Sequence, residues 1–430
     1  MLSVLDTSKL ALACVGDTRA VDEAVCTLRS QLRVLPTSSD EFRGRKCGDT
    51  AFNLALAGCD DDLLFTALCD RAEHELIRTS RRNPSKGLNS VAAMAERLAA
   101  AGCRSEQAAG AYNAALERLL QAGADDFRDT AAALTDRTLR LHTPRAAVWI
   151  HRRHHHHTLS GVQRRPAPTY LHAPDAPARL GTLFDDETRP LSVDIGCGYG
   201  VGALGVATAA DSTDWNVVGC DLNSAGIAFA SGVAARWRLR GRCSFIHADA
   251  ASVLRRLGGS DGEYAGAVGR VVLSCPTPFQ LRVGGSTFPR APTATLDFFA
   301  DSALFECCAR ALQAGGTLHL ASNVEDVALT LYDNAMRTGA FDEIVVPLHA
   351  DRVIPPRERL RRHAVSRPEA RSMPQRQRLW RSATSRRAAG PAWESGRLLL
   401  DEACSETELA YRLEGRETFR VALVRNEMAV

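Results

Sequence analysis

Asp194, Gly196, Gly198 and Gly200 form an Asp-x-Gly-x-Gly-x-Gly run directly after an apolar stretch and before an Ala-rich one. Glycines at this spacing permit a tight turn and a close approach of the backbone to a ligand. A dinucleotide-binding turn seats a pyrophosphate on the helix N-terminus and has no acid at its first position. Asp194 stands at that position, which disfavours a pyrophosphate and suits a cationic ligand. Two more acids follow at the ends of the next apolar runs. Gly219-Cys220-Asp221 puts a carboxylate where two ribose hydroxyls can donate to it. Asp249 and Ala250 end the third run, where a carboxylate can accept from an adenine amino group.

Carboxylates at successive strand ends need a parallel sheet to bring them to one edge. From Leu191 to Pro347 short apolar strands alternate with amphipathic helices, the pattern of a doubly wound, mostly parallel sheet. The expected strands are Leu191 to Ile195, Asn216 to Cys220, Cys243 to His247, Arg270 to Cys275 and Gly316 to Ala321, with a helix from Gly202 to Ala209. The expected fold is therefore α/β and Rossmann-like. Residues 1–142 read as an all-α domain, for instance through Leu63, Ala67, Leu68 and Ala72. A faint echo within it, Ala51-Phe52-Asn53 against Ala111-Tyr112-Asn113, fits either helical repeats of the pentatricopeptide kind or an ordinary helical bundle. Residues 143–190 read as a Pro/His/Arg-rich linker. The run His154 to His157 lies there without acidic or cysteine ligands at a defined spacing, so no metal site is expected. Residues 191–347 form the sheet core, 348–397 an arginine-rich insert read as flexible, and 398–430 the strands that complete the sheet.

Composition narrows the classes further. The 430 residues are 45% hydrophobic and 24% charged. They contain no apolar run of about 18 residues, which excludes a membrane-spanning helix. Net charge is +3, but the stretch 351–400 alone carries +9, from thirteen arginines against four acids, so the rest is −6. Only Lys9, Lys46 and Lys86 are lysines; the other 50 basic residues are arginines, which codon bias explains. Their clustering around the sheet core is compatible with contact to nucleic acid. Thirteen cysteines without a CxxC pair exclude a disulfide framework and point to a reducing, intracellular compartment. The start, Met1 to Leu12, lacks a secretory pattern.

The three acids at strand ends resemble those of class I S-adenosylmethionine-dependent methyltransferases. The resemblance implies S-adenosylmethionine as cofactor, bound by Asp194, Gly196, Gly198, Gly200, Asp221, Asp249, Ala250 and Cys275. A finer resemblance is to the tRNA (guanine-N7) methyltransferases. Cys275-Pro276-Thr277-Pro278-Phe279 matches both prolines of that family's Phe-Pro-Asp-Pro-Trp, with Thr277 for its aspartate and Phe279 for its tryptophan. The lysine-rich run beyond is missing, and Arg282 and Arg290 remain. Leu312, Gly315 and Gly316 look like the family's Leu-x-x-Gly-Gly strand, with Ser322-Asn323 at its Thr-Asp pair. Ser405, Glu408, Gly415, Phe419 and Arg425 follow the spacing of its C-terminal motif.

That resemblance implies tRNA as substrate, bound through Phe279, Arg282, Asn323, Ser405 and Glu408, with Thr277 and Glu408 catalytic and, in eukaryotes, a WD-repeat partner subunit. Guanine N7 carries a lone pair and no proton, so attack on a sulfonium methyl needs no general base. Positioning then supplies about 7 kcal/mol or more of the barrier reduction. Thr277 is expected to hold the guanine edge, Phe279 to stack on the base, and Glu408 to accept from guanine N1 and N2. Two other classes stay open: a methyltransferase for another substrate, and an RNA-binding methyltransferase fold that no longer catalyses.

Overall fold

The computed structural model describes residues 3–14, 17–36, 39–42, 46–82, 94, 96–103, 149–150, 176–177, 180–209, 214–258, 268–276, 300–344, 385–394, 404–413 and 418–427. These residues fall into two compact units, Met1–Arg153 with Ser224–Arg238, and His154–Asn223 with Leu239–Val430.

The second unit is built on seven strands in the order β3-β2-β1-β4-β5-β7-β6. They are β1 (Leu191–Ile195), β2 (Asn216–Asp221), β3 (Cys243–His247), β4 (Val268–Ser274), β5 (Leu312–Ser322), β6 (Phe341–Glu343) and β7 (Phe419–Arg425). The first five run parallel and β7 enters antiparallel between β5 and β6. This is the Rossmann-like α/β fold expected from the alternation of strands and helices, and the first unit is helical. Strand order reverses between β1 and β4, and the carboxyl edge at such a point is where open α/β sheets take ligands.

Side chains alternate across a strand, so the pairing register sorts them onto two faces. On one face Val193, Ile195, Val218, Cys220, Val271, Leu273, Leu318, Leu320, Val421 and Leu423 form one apolar cluster with residues of three helices. Those helices are Ala250–Gly258, Ser302–Ala311 and Glu325–Arg337. The opposite face carries Ser192, Asp194 and, two residues further toward the carboxyl edge, Asp221, Ser274 and Arg420. One face therefore supplies the stability and the other the polar chemistry.

Before β7 the chain forms a helix, Glu406–Leu413, where the sequence pattern suggested strands alone. Its start is a reciprocal capping box. The Glu408 N–H donates to Ser405 Oγ at 3.3 Å, and the Ser405 N–H donates to Glu408 Oε2 at 3.1 Å. Residues 385–394, inside the stretch expected to be flexible, are fastened to the helix Glu325–Arg337. Arg386 gives both terminal nitrogens to Asp333, the Ala388 N–H donates to Glu325 Oε1 at 3.0 Å, and Trp393 lies 5.6 Å from the Tyr332 ring.

In the helical unit two helices end alike. Leu54-Ala55-Leu56-Ala57-Gly58-Cys59 and Leu98-Ala99-Ala100-Ala101-Gly102-Cys103 each close with a left-handed glycine, at φ +81° and +72°. The N–H of Cys59 returns to Leu54 O and that of Gly58 to Ala55 O; Cys103 and Gly102 repeat this with Leu98 and Ala99. Both are Schellman ends. The echo noticed in the sequence has its second copy outside the described residues, whereas this one joins two described helices.

Both ends are capped from the helix Ser224–Arg236, which the chain threads between β2 and β3. Arg236, 7% exposed, donates to Cys59 O and, at 2.6 Å, to Ala101 O, and its guanidinium lies 3.9 Å from the Phe65 ring. Trp237 Nε1 donates to Gly102 O at 2.7 Å. The backbones meet so closely that a Cβ on Gly232 would stand 2.8 Å from Gly58 O. A cation at two helix C-termini satisfies carbonyls that have no intrahelical partner. Arg236→Met keeps the stem and removes the fork, so it is expected to destabilise the helical unit by about 3 kcal/mol. Urea unfolding followed by far-UV circular dichroism measures this, and an unchanged midpoint would refute the double-cap role.

Candidate functional site

The glycine turn is set by its own strand and the next. The N–H groups of Gly196 and Cys197 both donate to Cys220 O, at 2.8 and 3.0 Å. Gly196, Gly198 and Gly200 all have positive φ, +67°, +59° and +69°, a region that favours residues without a Cβ. Gly200 then caps the helix Val201–Thr208 without a side chain. Asp194 on β1 faces the start of this helix, where the Ala203 N–H draws its carboxyl toward the charged form.

Asp221 sits at the end of β2 with both oxygens tied to backbone. Oδ2 accepts from the Gly198 N–H at 2.8 Å and Oδ1 from the Asn223 N–H at 2.7 Å. A carboxylate has about four lone-pair sites, so each oxygen keeps one for a further donor, which fits a ribose diol. Asp249 lies two residues beyond β3, where Oδ2 caps the next helix through the Ser252 N–H at 2.9 Å and Oδ1 accepts no hydrogen bond among the described residues. Ala250 starts that helix and packs against the apolar cluster.

The structure adds Glu406, which the sequence reading overlooked. It is 4% exposed and accepts the Tyr199 N–H of the glycine turn at 3.4 Å. The only signal for it was its place beside Ser405 in a Ser-x-x-Glu helix start. Asp194, Asp221, Glu406 and Glu408 therefore converge. Burial, followed by the charges of Glu406, Asp221 and Glu408, raises the Asp194 carboxyl well above the usual carboxylate range. A small recess between this sheet face and the helix Val201–Thr208 is lined among others by Ser192, Asp194, Ser274 and Ser405. Four converging carboxylates favour a cation.

Beside them, Cys275 follows β4 in a left-handed conformation, φ +51°, and donates its N–H to Ala321 O at 2.7 Å. Burial, then Glu408, push its thiol up, while Arg420 and a hydrogen bond from the Asn323 N–H pull it back. Cys275, Asn323, Ser405 and Glu408 are thus neighbours. Glu408 is engaged on both oxygens: Oε2 accepts from Ser405, and Oε1 accepts from Arg420 Nε at 2.6 Å. Arg420 is the second residue missed, although its place one position after Phe419 on an alternating strand puts it on the polar face. Arg425 is at the opposite, amino edge, donating to Leu312 O. Thr277, Phe279, Arg282, Arg290 and Gly415 lie outside the described residues. Among the described residues no group of three or more His, Cys, Asp or Glu is arranged to hold a metal, and no helix is long and apolar enough to cross a membrane.

No family model matches the chain, and no curated protein matches its sequence. Similar solved structures include the aminoglycoside resistance methyltransferase NpmB1, at 16% identity over 57% of this chain and 89% of that one, with a TM-score of 0.28. Another is phosphoethanolamine N-methyltransferase 2 of Haemonchus contortus, at 16% identity and a TM-score of 0.27, where the match covers 58% of this chain and 51% of that one. The cyclase SpnF is similar at 13% identity over 65% of this chain and 96% of that one, with a TM-score of 0.31.

Above pH 3.8 the folded state retains the Asp194 proton that the unfolded chain has released. Stability from this group is thus complete below that pH and is lost as pH rises toward the raised pKa. Asp194→Asn keeps the size of the side chain and abolishes the titration. The variant is expected to match the parent at pH 4 and to exceed its Tm by about 3–6 °C at pH 8 in the absence of ligand. Thermal unfolding at both pH values measures this, and a variant less stable at pH 8 would contradict the assignment.

Proposed function

We propose that the protein is an S-adenosylmethionine-dependent methyltransferase acting on guanine N7 of tRNA. The convergence of Asp194, Asp221, Glu406 and Glu408 beside the glycine turn carries the reading. S-adenosylmethionine, when bound, supplies an electrophilic methyl on a sulfonium, and its ammonium adds a second cationic centre. The residues fit it group by group. Asp194 and Glu406 flank the glycine turn and favour the positive charge, with Asp194 giving up its proton as a cation arrives. Asp221 keeps one acceptor site on each oxygen for the two ribose hydroxyls, and Asp249 Oδ1 is open to the adenine amino group.

The acceptor half of the proposal rests on the motif match from Cys275 to Phe279 and from Ser405 to Arg425. The guanine N7 lone pair forms the new carbon–nitrogen bond while the methyl–sulfur bond breaks, and the sulfur keeps that electron pair. No proton moves, so the chain's task is to align two ligands and exclude water. The net negative charge of the site stabilises the cation on both sides of the transfer.

One observation favours a different acceptor. Glu408, expected to accept from both guanine N1 and N2, already has Oε2 filled by the Ser405 N–H and Oγ and Oε1 accepting from Arg420.

Incubation of the purified chain with S-adenosylmethionine and unmethylated tRNA is expected to yield 7-methylguanosine in nucleoside mass spectrometry. Transfer to protein or small molecules alone would support the second acceptor class, and no product with any tRNA pool would sink the first. Asp221→Ala is expected to lower S-adenosylmethionine affinity at least 100-fold, about 3 kcal/mol, with the unfolding transition retained; calorimetric titration reads this directly.

A further inference from the structure

Among the described residues, Arg19, Arg29, Arg189 and Arg420 each meet an acid through Nε, and of these Arg420 is the one on the polar face of the sheet at its carboxyl edge. Arg386 spends both terminal nitrogens on Asp333. Arg420 meets its acid through Nε alone, at 2.6 Å from Glu408 Oε1, and neither terminal nitrogen has a hydrogen-bond partner among the described residues. Its side chain is 31% exposed and that of Glu408 5%. Glu408 cannot turn away, because its other oxygen is held by the Ser405 N–H and Oγ at 3.1 and 3.2 Å. The guanidinium is thus fixed at its inner edge, with two parallel N–H groups left over at the outer one. That is the geometry that grips two oxygens of one anion.

Its place says which ligand. Arg420 pairs with Ala321 at the carboxyl edge, on the face that carries Asp194, Asp221 and Ser274. It lies two strands beyond β4, away from the acids of the glycine turn, and its charge acts on Cys275, where the loop after β4 begins. A cationic cofactor belongs to the acids; the fork stands on the acceptor side. We infer that Arg420, positioned by Glu408, binds a phosphodiester of the nucleic-acid acceptor. This rests on the proposed RNA methyltransferase reading, and it makes Glu408 a positioning residue.

The test compares the parent with Arg420→Lys, which keeps the charge and loses the fork, and with the double variant Glu408→Gln/Arg420→Gln. The double variant leaves no buried charge unpaired and so guards against simple unfolding, which circular dichroism monitors. Affinity for unmethylated tRNA is measured against sodium chloride concentration, and S-adenosylmethionine affinity by calorimetry. Both variants are expected to bind tRNA roughly tenfold more weakly, and the double variant to flatten the salt dependence by about 0.7–0.9 in log–log slope, one phosphate contact. Cofactor affinity of Arg420→Lys, which leaves all four acids in place, is expected to stay within about twofold. Unchanged tRNA affinity and slope would overturn the inference, as would a parent that binds no tRNA. A parallel loss of cofactor affinity would overturn it in favour of a role at the cofactor's carboxylate. Because binding is read without turnover, tRNA binding with no 7-methylguanosine would refute the reaction and leave the fork standing.

Discussion

Four carboxylates beside one glycine turn are the constraint around which the rest of the second unit is arranged. Like charges in a poorly solvated space repel, and the fold copes in several distinct ways. Asp194 favours its proton. Asp221 is tied down by two backbone N–H groups, and Glu406 by one from the turn itself. Glu408 has a guanidinium. Each of these devices uses an element end, which explains why the turn, two helix N-termini and the first residues of β7 meet at the same sheet edge.

The two-faced sheet makes this concentration of charge affordable. The face against three helices is almost wholly apolar and contains no group that must be kept charged, so its stability does not depend on what binds at the other. On the polar face small residues take over. Gly219, opposite Asp194, is a case: a Cβ there would meet Cys197 Sγ at 2.9 Å and Phe245 Cδ1 at 2.8 Å, pushing the ligand turn off its strand. Glycine at that position holds the turn close enough for Asp221 to reach Gly198.

The helical unit solves a different problem with a similar tool. Two helices that end in the same Schellman pattern leave carbonyls facing inward, and one arginine answers both. That arginine comes from the chain between β2 and β3, so the unit is not continuous in sequence. Nothing in the sequence of Ser224–Arg236 distinguishes it from the other crossover helices except a buried arginine next to a tryptophan, and burial is not visible before folding.

Much of the sheet was legible beforehand. Strand positions followed from apolar runs of the right length, because a parallel strand buried on both faces has to be apolar along its length. Asp194, Asp221 and Asp249 could be read as one set, because acids directly after such runs must gather at the carboxyl edge of a parallel sheet. Ser405 and Glu408 were found by their spacing, but the spacing belongs to a helix start, and only the structure revealed where the carboxylate spends its hydrogen bonds. Glu406 and Arg420 were overlooked because a single acid or arginine has no period or partner in sequence. Local periodicity and chain order thus determined the elements and the edge where chemistry gathers. Which charges face each other, which are buried, and where the Arg420 fork stands were decided by strand register and packing, which join residues as distant in the chain as Tyr199 and Glu406.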